Sequence, residues 1–251
     1  MTNKLKYFVG NWKMFGDFSS FKIINEINHY IYKDKSTKKK IILCVPNILI
    51  NFFKNKLKKK SISIGAQNCH HHEGYGSFTG SVNAKMIKQA GAEYVILGHA
   101  ENRSEGDSNQ IVKKKIVSAL NQKLKVILCV GERFIDKKKG KTFSFIRKQL
   151  KDNLESNLNK ERIILAYEPI WSIGSNKIPT IKELRSIFSF IKKEFKKTFK
   201  TSKSPKILYG GSVNPKNIKL LSSIDEIDGF LIGGASRSSK KFIDIIKNYY
   251  K

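Results

Sequence analysis

Eight short runs of β-branched and aliphatic residues recur at even intervals from one end of the chain to the other, and they constrain the fold more than any other feature. They are Tyr7 to Val9, Ile41 to Val45, Ile62 to Ile64, Tyr94 to Leu97, Val126 to Val130, Ile163 to Ala166, Ile207 to Tyr209 and Phe230 to Ile232. Such runs read as strands buried on both faces, the pattern of parallel sheets. Between them lie segments with helical spacing, such as Ile111, Ile116 and Leu120, or Phe143, Ile146, Leu150 and Leu154, with charge on the opposite positions. Parallel strands need crossover connections, normally helical, and eight such units close into a (β/α)8 barrel without exposed edges. A doubly wound open sheet is the alternative. Its dinucleotide-binding form would carry Gly-x-Gly-x-x-Gly after the first strand, where this chain has Gly10-Asn11-Trp12-Lys13-Met14. The expectation is an α/β fold, a (β/α)8 barrel forming a single domain over residues 1–251, because no Pro/Gly/Ser-rich linker interrupts the sequence.

No stretch approaches the roughly 18 consecutive apolar residues of a membrane span, and Met1 to Tyr7 lacks the apolar core of a signal peptide. A cytoplasmic protein with no membrane partner is expected. Cys44, Cys69 and Cys129 are odd in number, far apart and never in a Cys-x-x-Cys pair, which argues for reduced thiols rather than disulfides or a zinc ribbon. The formal charge of +29 would suit a nucleic-acid or polyanion binder. Of the 49 basic residues, however, only six are Arg, the residue favoured for base edges and bidentate phosphate contacts. Lys, Ile and Asn are enriched together, as an A+T-rich coding sequence would produce. The lysines fall in helix-like blocks such as Lys38 to Lys40, Lys58 to Lys60 and Lys113 to Lys115, read as solvated faces. No specific nucleic-acid partner is expected, although such blocks suit weak, salt-sensitive polyanion contacts.

Polar residues with chemical potential cluster at the C-terminal ends of the runs, which a barrel gathers around one mouth. Glu168 follows Ile163 to Ala166 within Glu168-Pro169-Ile170-Trp171, where a strand becomes a loop. It reads as a pocket carboxylate, or else as a residue that caps the strand or pairs with a Lys. Asn11 and Lys13, two apart on an extended segment, would face inward together, where an ammonium holds an anion or a developing oxyanion; a surface role for Lys13 is the alternative. His99 alone among the histidines directly follows an apolar run. It is either structural or, if a helical turn starts just after it, a ring whose imidazolium is disfavoured by the exposed N–H groups. Cys69-His70-His71-His72-Glu73 does not suit a metal, because consecutive residues of an extended segment point apart. With Gly74, Gly76 and Gly80 around Phe78 and Thr79, it reads as a projecting loop with an apolar tip that suits a protein partner. The last two runs end in Gly210-Gly211-Ser212 and Gly233-Gly234-Ala235, either tight turns or backbone cradles for phosphate, the latter favoured by their place after strands seven and eight.

From about Tyr7 to the C-terminus the chain resembles triosephosphate isomerase, whose fold is the TIM barrel. The resemblance rests on Asn11-Trp12-Lys13-Met14, Gly65-Ala66-Gln67-Asn68, Gly98-His99-x-Glu101-x-Arg103, Cys129-Val130-Gly131-Glu132, Ala166-Tyr167-Glu168-Pro169-Ile170-Trp171, Tyr209-Gly210-Gly211-Ser212-Val213 and Gly233-Gly234-Ala235-Ser236. It implies interconversion of dihydroxyacetone phosphate and D-glyceraldehyde 3-phosphate through an enediolate, in glycolysis and gluconeogenesis, with no cofactor and no metal. It implies Glu168 as base, neutral His99 as electrophile, and Lys13 and Asn11 stabilising negative charge. The neutral histidine in that role belongs to the resemblance and not to the residues' spacing. By the same resemblance Gly174, Ser212, Gly233 and Gly234 hold the substrate phosphate through backbone amides, and Pro169 to about Pro179 is a closing lid. A homodimer follows too, with the Gly76–Gly80 loop inserted into the partner and Thr79 supporting its Asn11 and Lys13 region. The chain departs from the family's common residues at Ala100, Asn102, Asp107, Ser172, Ser175 and Pro179, and Ser104-Glu105-Gly106-Asp107 is shortened.

Overall fold

The computed structural model describes residues 4–34, 38–58, 61–175 and 177–251. Eight strands, β1 (Lys6–Asn11), β2 (Lys39–Cys44), β3 (Ser63–Ala66), β4 (Tyr94–Leu97), β5 (Lys125–Val130), β6 (Ile163–Tyr167), β7 (Lys206–Tyr209) and β8 (Gly229–Ile232), follow one another around a closed barrel. Every neighbouring pair is parallel, and Tyr7 opposite Gly229 joins β1 to β8. The eight apolar runs thus coincide with the eight strands; Val45 falls one residue beyond β2 and Ile62 one before β3. The chain is an eight-stranded (β/α)8 barrel.

Between the strands run α1 (Phe21–Lys33), α2 (Asn47–Lys56), α3 (Ala84–Gln89), α4 (Ala100–Ser104), α5 (Asn109–Asn121), α6 (Phe134–Lys138), α7 (Thr142–Asn153), α8 (Ile181–Thr198) and α9 (Ile218–Ser222), with α10 (Ser239–Tyr250) after β8. The longest, α8, starts where Thr180 and Glu183 cap each other's backbone N–H groups, and it buries Leu184, Ile187, Phe188, Ile191 and Phe195 at spacings of three and four.

Strand alternation divides the core into two layers. Val9, Ile42, Cys44, Tyr94, Ile96, Ile127, Cys129, Ile164, Ala166, Leu208 and Leu231 pack together inside the barrel. Their neighbours, among them Phe8, Ile41, Leu43, Val95, Leu97, Val126, Leu165 and Phe230, pack outward with the helices. Burying each such side chain contributes about 1.5–3 kcal/mol. Cys44, Cys69 and Cys129 are buried free thiols.

Two readings of the lysine blocks need correction. Lys39 and Lys40 open β2 instead of lying in a helix. Lys115 of the Lys113–Lys115 block is buried in α5, its ammonium 2.6 Å from Asp107 and 3.0 Å from Asn68, because a lysine taken out of water needs charged and polar partners. Lys59 and Lys60 lie outside the described residues. No helix among the described residues is long and apolar enough to cross a membrane.

Candidate active site

Alternation inside the barrel decides what lies at its C-terminal mouth. Glu168 is two residues beyond Ala166 and Asn11 two beyond Val9, both interior positions, so each continues the inward-facing register at the strand end. A cavity of about 930 Å³ opens there, and Asn11, Lys13, His99, Glu168, Gly174, Ser212, Gly233 and Gly234 all line it. Every residue singled out from the sequence as catalytic or phosphate-binding therefore reaches one space.

Lys13 arrives differently from the expected alternation. β1 ends at Asn11, and Lys13 has φ +56°, a left-handed conformation uncommon for a side chain larger than Gly. Its backbone N–H donates to Asn11 Oδ1 (3.0 Å), so the asparagine fixes the turn that aims the lysine. Gln67 Nε2 donates to the same oxygen (3.3 Å) and to the Cys44 carbonyl (3.1 Å), locking the asparagine in turn. The Lys13 ammonium lies 2.5 Å from Glu101 Oε1. Lys216, Arg237 and Lys241 also border the cavity, whose one carboxylate among the described residues is Glu168. Such a lining suits an anion.

His99 caps α4: its Nδ1 accepts the backbone N–H of Glu101 (3.2 Å). A nitrogen that accepts carries no hydrogen, so the ring's N–H is at Nε2, which faces Glu168 Oε1 at 3.3 Å. Gly98, with φ +69°, makes the bend that turns His99 inward, and Arg103 fastens that bend by donating to the Gly98 carbonyl (2.7 Å) and to Asn109 Oδ1 (2.7 Å).

Glu168 is 3% exposed, and its Oε2 has no hydrogen-bond partner. Burial raises its carboxyl above the ordinary carboxylate value of 4.5, opposed by nearby His99, the Cys129 thiol and Lys13. A carboxyl that binds its proton more tightly folded than unfolded stabilises the fold at low pH, and that contribution is lost as pH rises through the raised value. The base role expected for Glu168 needs the ionised form, so an activity resting on it moves oppositely. The expected acid limb of kcat/KM lies above pH 4.5 and reports Glu168; a limb at or below that value contradicts this environment.

Two glycines make room for this carboxylate. A Cβ on Gly131 would fall 1.9 Å from the Glu168 carbonyl oxygen, and one on Gly210 would fall 2.6 Å from Glu168 Cγ. Gly210→Ala should push the side chain by on the order of 1 Å and lower kcat roughly 10- to 100-fold. Steady-state kinetics beside circular dichroism checks this, and an unchanged kcat in a folded variant contradicts it. The sequence pattern flagged the pair Gly210-Gly211 as a phosphate cradle, but not that Gly210 shapes the seat of the carboxylate.

The segment after Glu168 is tethered at its root. Glu132, 1% exposed, accepts from the Tyr167 hydroxyl (3.2 Å) and from Trp171 Nε1 (3.0 Å), while Ile170 N donates to its carbonyl (3.1 Å). Lys137 lies 3.9 Å over the Trp171 ring and 3.0 Å from Glu183. Pro179 ends the segment at the Thr180 cap of α8; Asn176 lies outside the described residues. Glu132 carried no local signal beyond its place in the quoted resemblance, since its partners are 35 and 39 positions away. Distant from this segment, the rings of His70 and His72 lie 4.5 and 4.9 Å from Phe78, bracing the exposed 72–80 loop.

Comparison with known proteins agrees with this geometry. The family model described as triosephosphate isomerase matches residues 6–249. The chain is 37% identical over 252 residues to the triosephosphate isomerase of Dictyoglomus thermophilum, covering 97% of this chain and 99% of the relative. It is 35% identical over 243 residues to that of Alkaliphilus metalliredigens, covering 94% and 96%. A crystal structure of triosephosphate isomerase from Bartonella henselae superposes with a TM-score of 0.89 at 34% identity, covering 98% of this chain and 99% of that one. With the barrel, the cavity and these similarities in agreement, the chain belongs to the triosephosphate isomerase family.

Proposed function

We propose that the cavity interconverts dihydroxyacetone phosphate and D-glyceraldehyde 3-phosphate by moving one proton between adjacent carbons, as part of glycolysis and gluconeogenesis in the cytoplasm. The observation that carries this reading is a buried carboxylate with a free oxygen, 3.3 Å from a histidine N–H, at the edge of a cation-lined cavity. Ionised Glu168 removes the proton from the carbon beside the carbonyl. The electron pair forms the carbon–carbon double bond of the enediolate, and the carbonyl oxygen takes the negative charge. His99 Nε2–H is the donor to the two substrate oxygens, and the Lys13 ammonium and the Asn11 amide stabilise the charge. The protonated Glu168 returns its proton to the neighbouring carbon, while His99 Nε2 gives its hydrogen to the former carbonyl oxygen and takes up the hydroxyl hydrogen of the other oxygen, so that carbonyl and hydroxyl exchange places.

Phosphate at Gly174, Ser212, Gly233 and Gly234 anchors the substrate, and closure of the Pro169–Pro179 segment excludes the water that would let the enediolate lose phosphate. The proton is moved by side chains alone, so the reaction as written takes no cofactor and no metal. A homodimer is part of the same reading. Tyr75, Phe78, Met14 and Ile48 are 63%, 41%, 100% and 76% exposed, and a second cavity of about 350 Å³ beside Lys13 and Gln67 would receive the partner's loop. The test is isomerisation of glyceraldehyde 3-phosphate by the purified protein, coupled to reduction of the dihydroxyacetone phosphate formed. Turnover well above a mock purification is expected; none in a folded protein would refute the proposal.

A further inference from the structure

Ser172 is completely buried in the first limb of the lid segment, within the short turn Ile170–Ser172. A hydroxyl has one hydrogen to give and two lone pairs to accept with. Ser172 Oγ donates to the Lys177 carbonyl (2.5 Å), lies 3.2 Å from the Tyr209 hydroxyl and accepts the backbone N–H of Ser212 (3.3 Å). Since its hydrogen is given to Lys177, the Tyr209 hydroxyl is the donor of the second bond. The capacity of the oxygen is then full.

Its three partners lie on separate pieces of chain: the second limb of the lid, the end of β7, and the loop after β7. A Cβ on Gly211 would come 2.7 Å from Ser172 Oγ and 2.2 Å from the Tyr209 hydroxyl oxygen, so the loop backbone passes directly over this knot. One of the three bonds is in conflict with the function. An amide has a single hydrogen, and that of Ser212, which the proposed function gives to the substrate phosphate, is here given to Ser172.

We propose that Ser172 is a positioning residue that clamps the lid to the loop after β7 and competes with the substrate phosphate for the Ser212 amide, so that phosphate binding and release of the clamp are one exchange. This rests on the reading of Ser212 as a phosphate donor. Ser172→Ala frees the amide, and because a single hydrogen bond is being traded, the gain is modest: KM for triose phosphate and Ki for inorganic phosphate should both fall roughly 2- to 10-fold. Tyr209→Phe removes a clamp bond but not the competition. It should speed amide hydrogen exchange across residues 171–178, as Ser172→Ala does, while leaving Ki for phosphate within about twofold of the parent protein.

A structural role alone predicts the opposite sign for Ser172→Ala, since loosening the lid would weaken phosphate binding. The amide resonance of Ser212 in the parent protein, followed by NMR during titration with inorganic phosphate, separates the two levels of the argument. A shifted resonance with a lower Ki in Ser172→Ala establishes the exchange. A shifted resonance with Ki unchanged or raised overturns the competition and leaves Ser212 as a phosphate donor. A resonance that phosphate does not move overturns both.

Discussion

Glu168→Asp should lower kcat for triose phosphate isomerisation about 100-fold with little change in KM or in melting temperature. The shortened side chain keeps the charge and withdraws the carboxylate by on the order of 1 Å, and proton transfer tolerates such a displacement poorly. The seat itself resists compensation. Gly131 and Gly210 close on the backbone and Cγ of residue 168 from either side, so the main chain cannot advance to restore the reach. KM should hold because the proposed phosphate donors belong to other segments, and a loss confined to kcat marks an interaction made chiefly in the transition state. Steady-state kinetics in both directions checks this, with both rates falling together as microscopic reversibility requires. A variant that kept more than about a third of the parent's kcat would remove Glu168 from the role of base.

The second large effect is expected at the opposite edge of the mouth. Thr79→Arg should convert the proposed dimer into monomers and reduce activity by at least tenfold. Thr79 is exposed at the tip of a loop whose neighbours Tyr75 and Phe78 expose large rings, while Met14, next to Lys13, and Ile48 are exposed apolar side chains. A loop seated there would cover Lys13, whose left-handed turn is held by Asn11 Oδ1 on its N–H and by the Phe15 N–H on its carbonyl. An added guanidinium would be buried beside that ammonium, where Glu101 is already engaged by Lys13, at a cost of about 3 kcal/mol or more, a hundredfold or more in the dissociation constant. Light scattering across a concentration series checks the assembly, and activity measured on the same samples checks the coupling. A fully active dimer would refute the loop's role.

The fold was legible because a barrel strand is short and apolar on both faces, and eight such runs recur at even intervals. The mouth was legible too, since Glu168, His99 and the Gly-Gly pairs each sit within two or three residues of a strand end. Lys13 shows where the reading fails: alternation gave the right destination by the wrong path, because a positive φ in a non-glycine residue leaves no trace in composition. Lys115 was read as solvent-facing within a run of lysines, although Asp107 and Asn68 neutralise it inside the fold. The same limit hid the Ser172 knot. Its hydroxyl bonds Tyr209 and Ser212, 37 and 40 positions away, and such pairings have no periodicity to betray them.

If Glu168 carries a proton between adjacent carbons through an enediolate, isomerisation in heavy water should record it in the substrate itself. A carboxylic acid formed on the enzyme exchanges its proton with solvent, so many turnovers at equilibrium should leave deuterium on the hydroxymethyl carbon of dihydroxyacetone phosphate and on the carbon beside the aldehyde of glyceraldehyde 3-phosphate, at a rate that falls in Glu168→Asp along with turnover. Interconversion over many turnovers with no deuterium in either compound would mean direct hydride transfer between the carbons, and would contradict the account at its base.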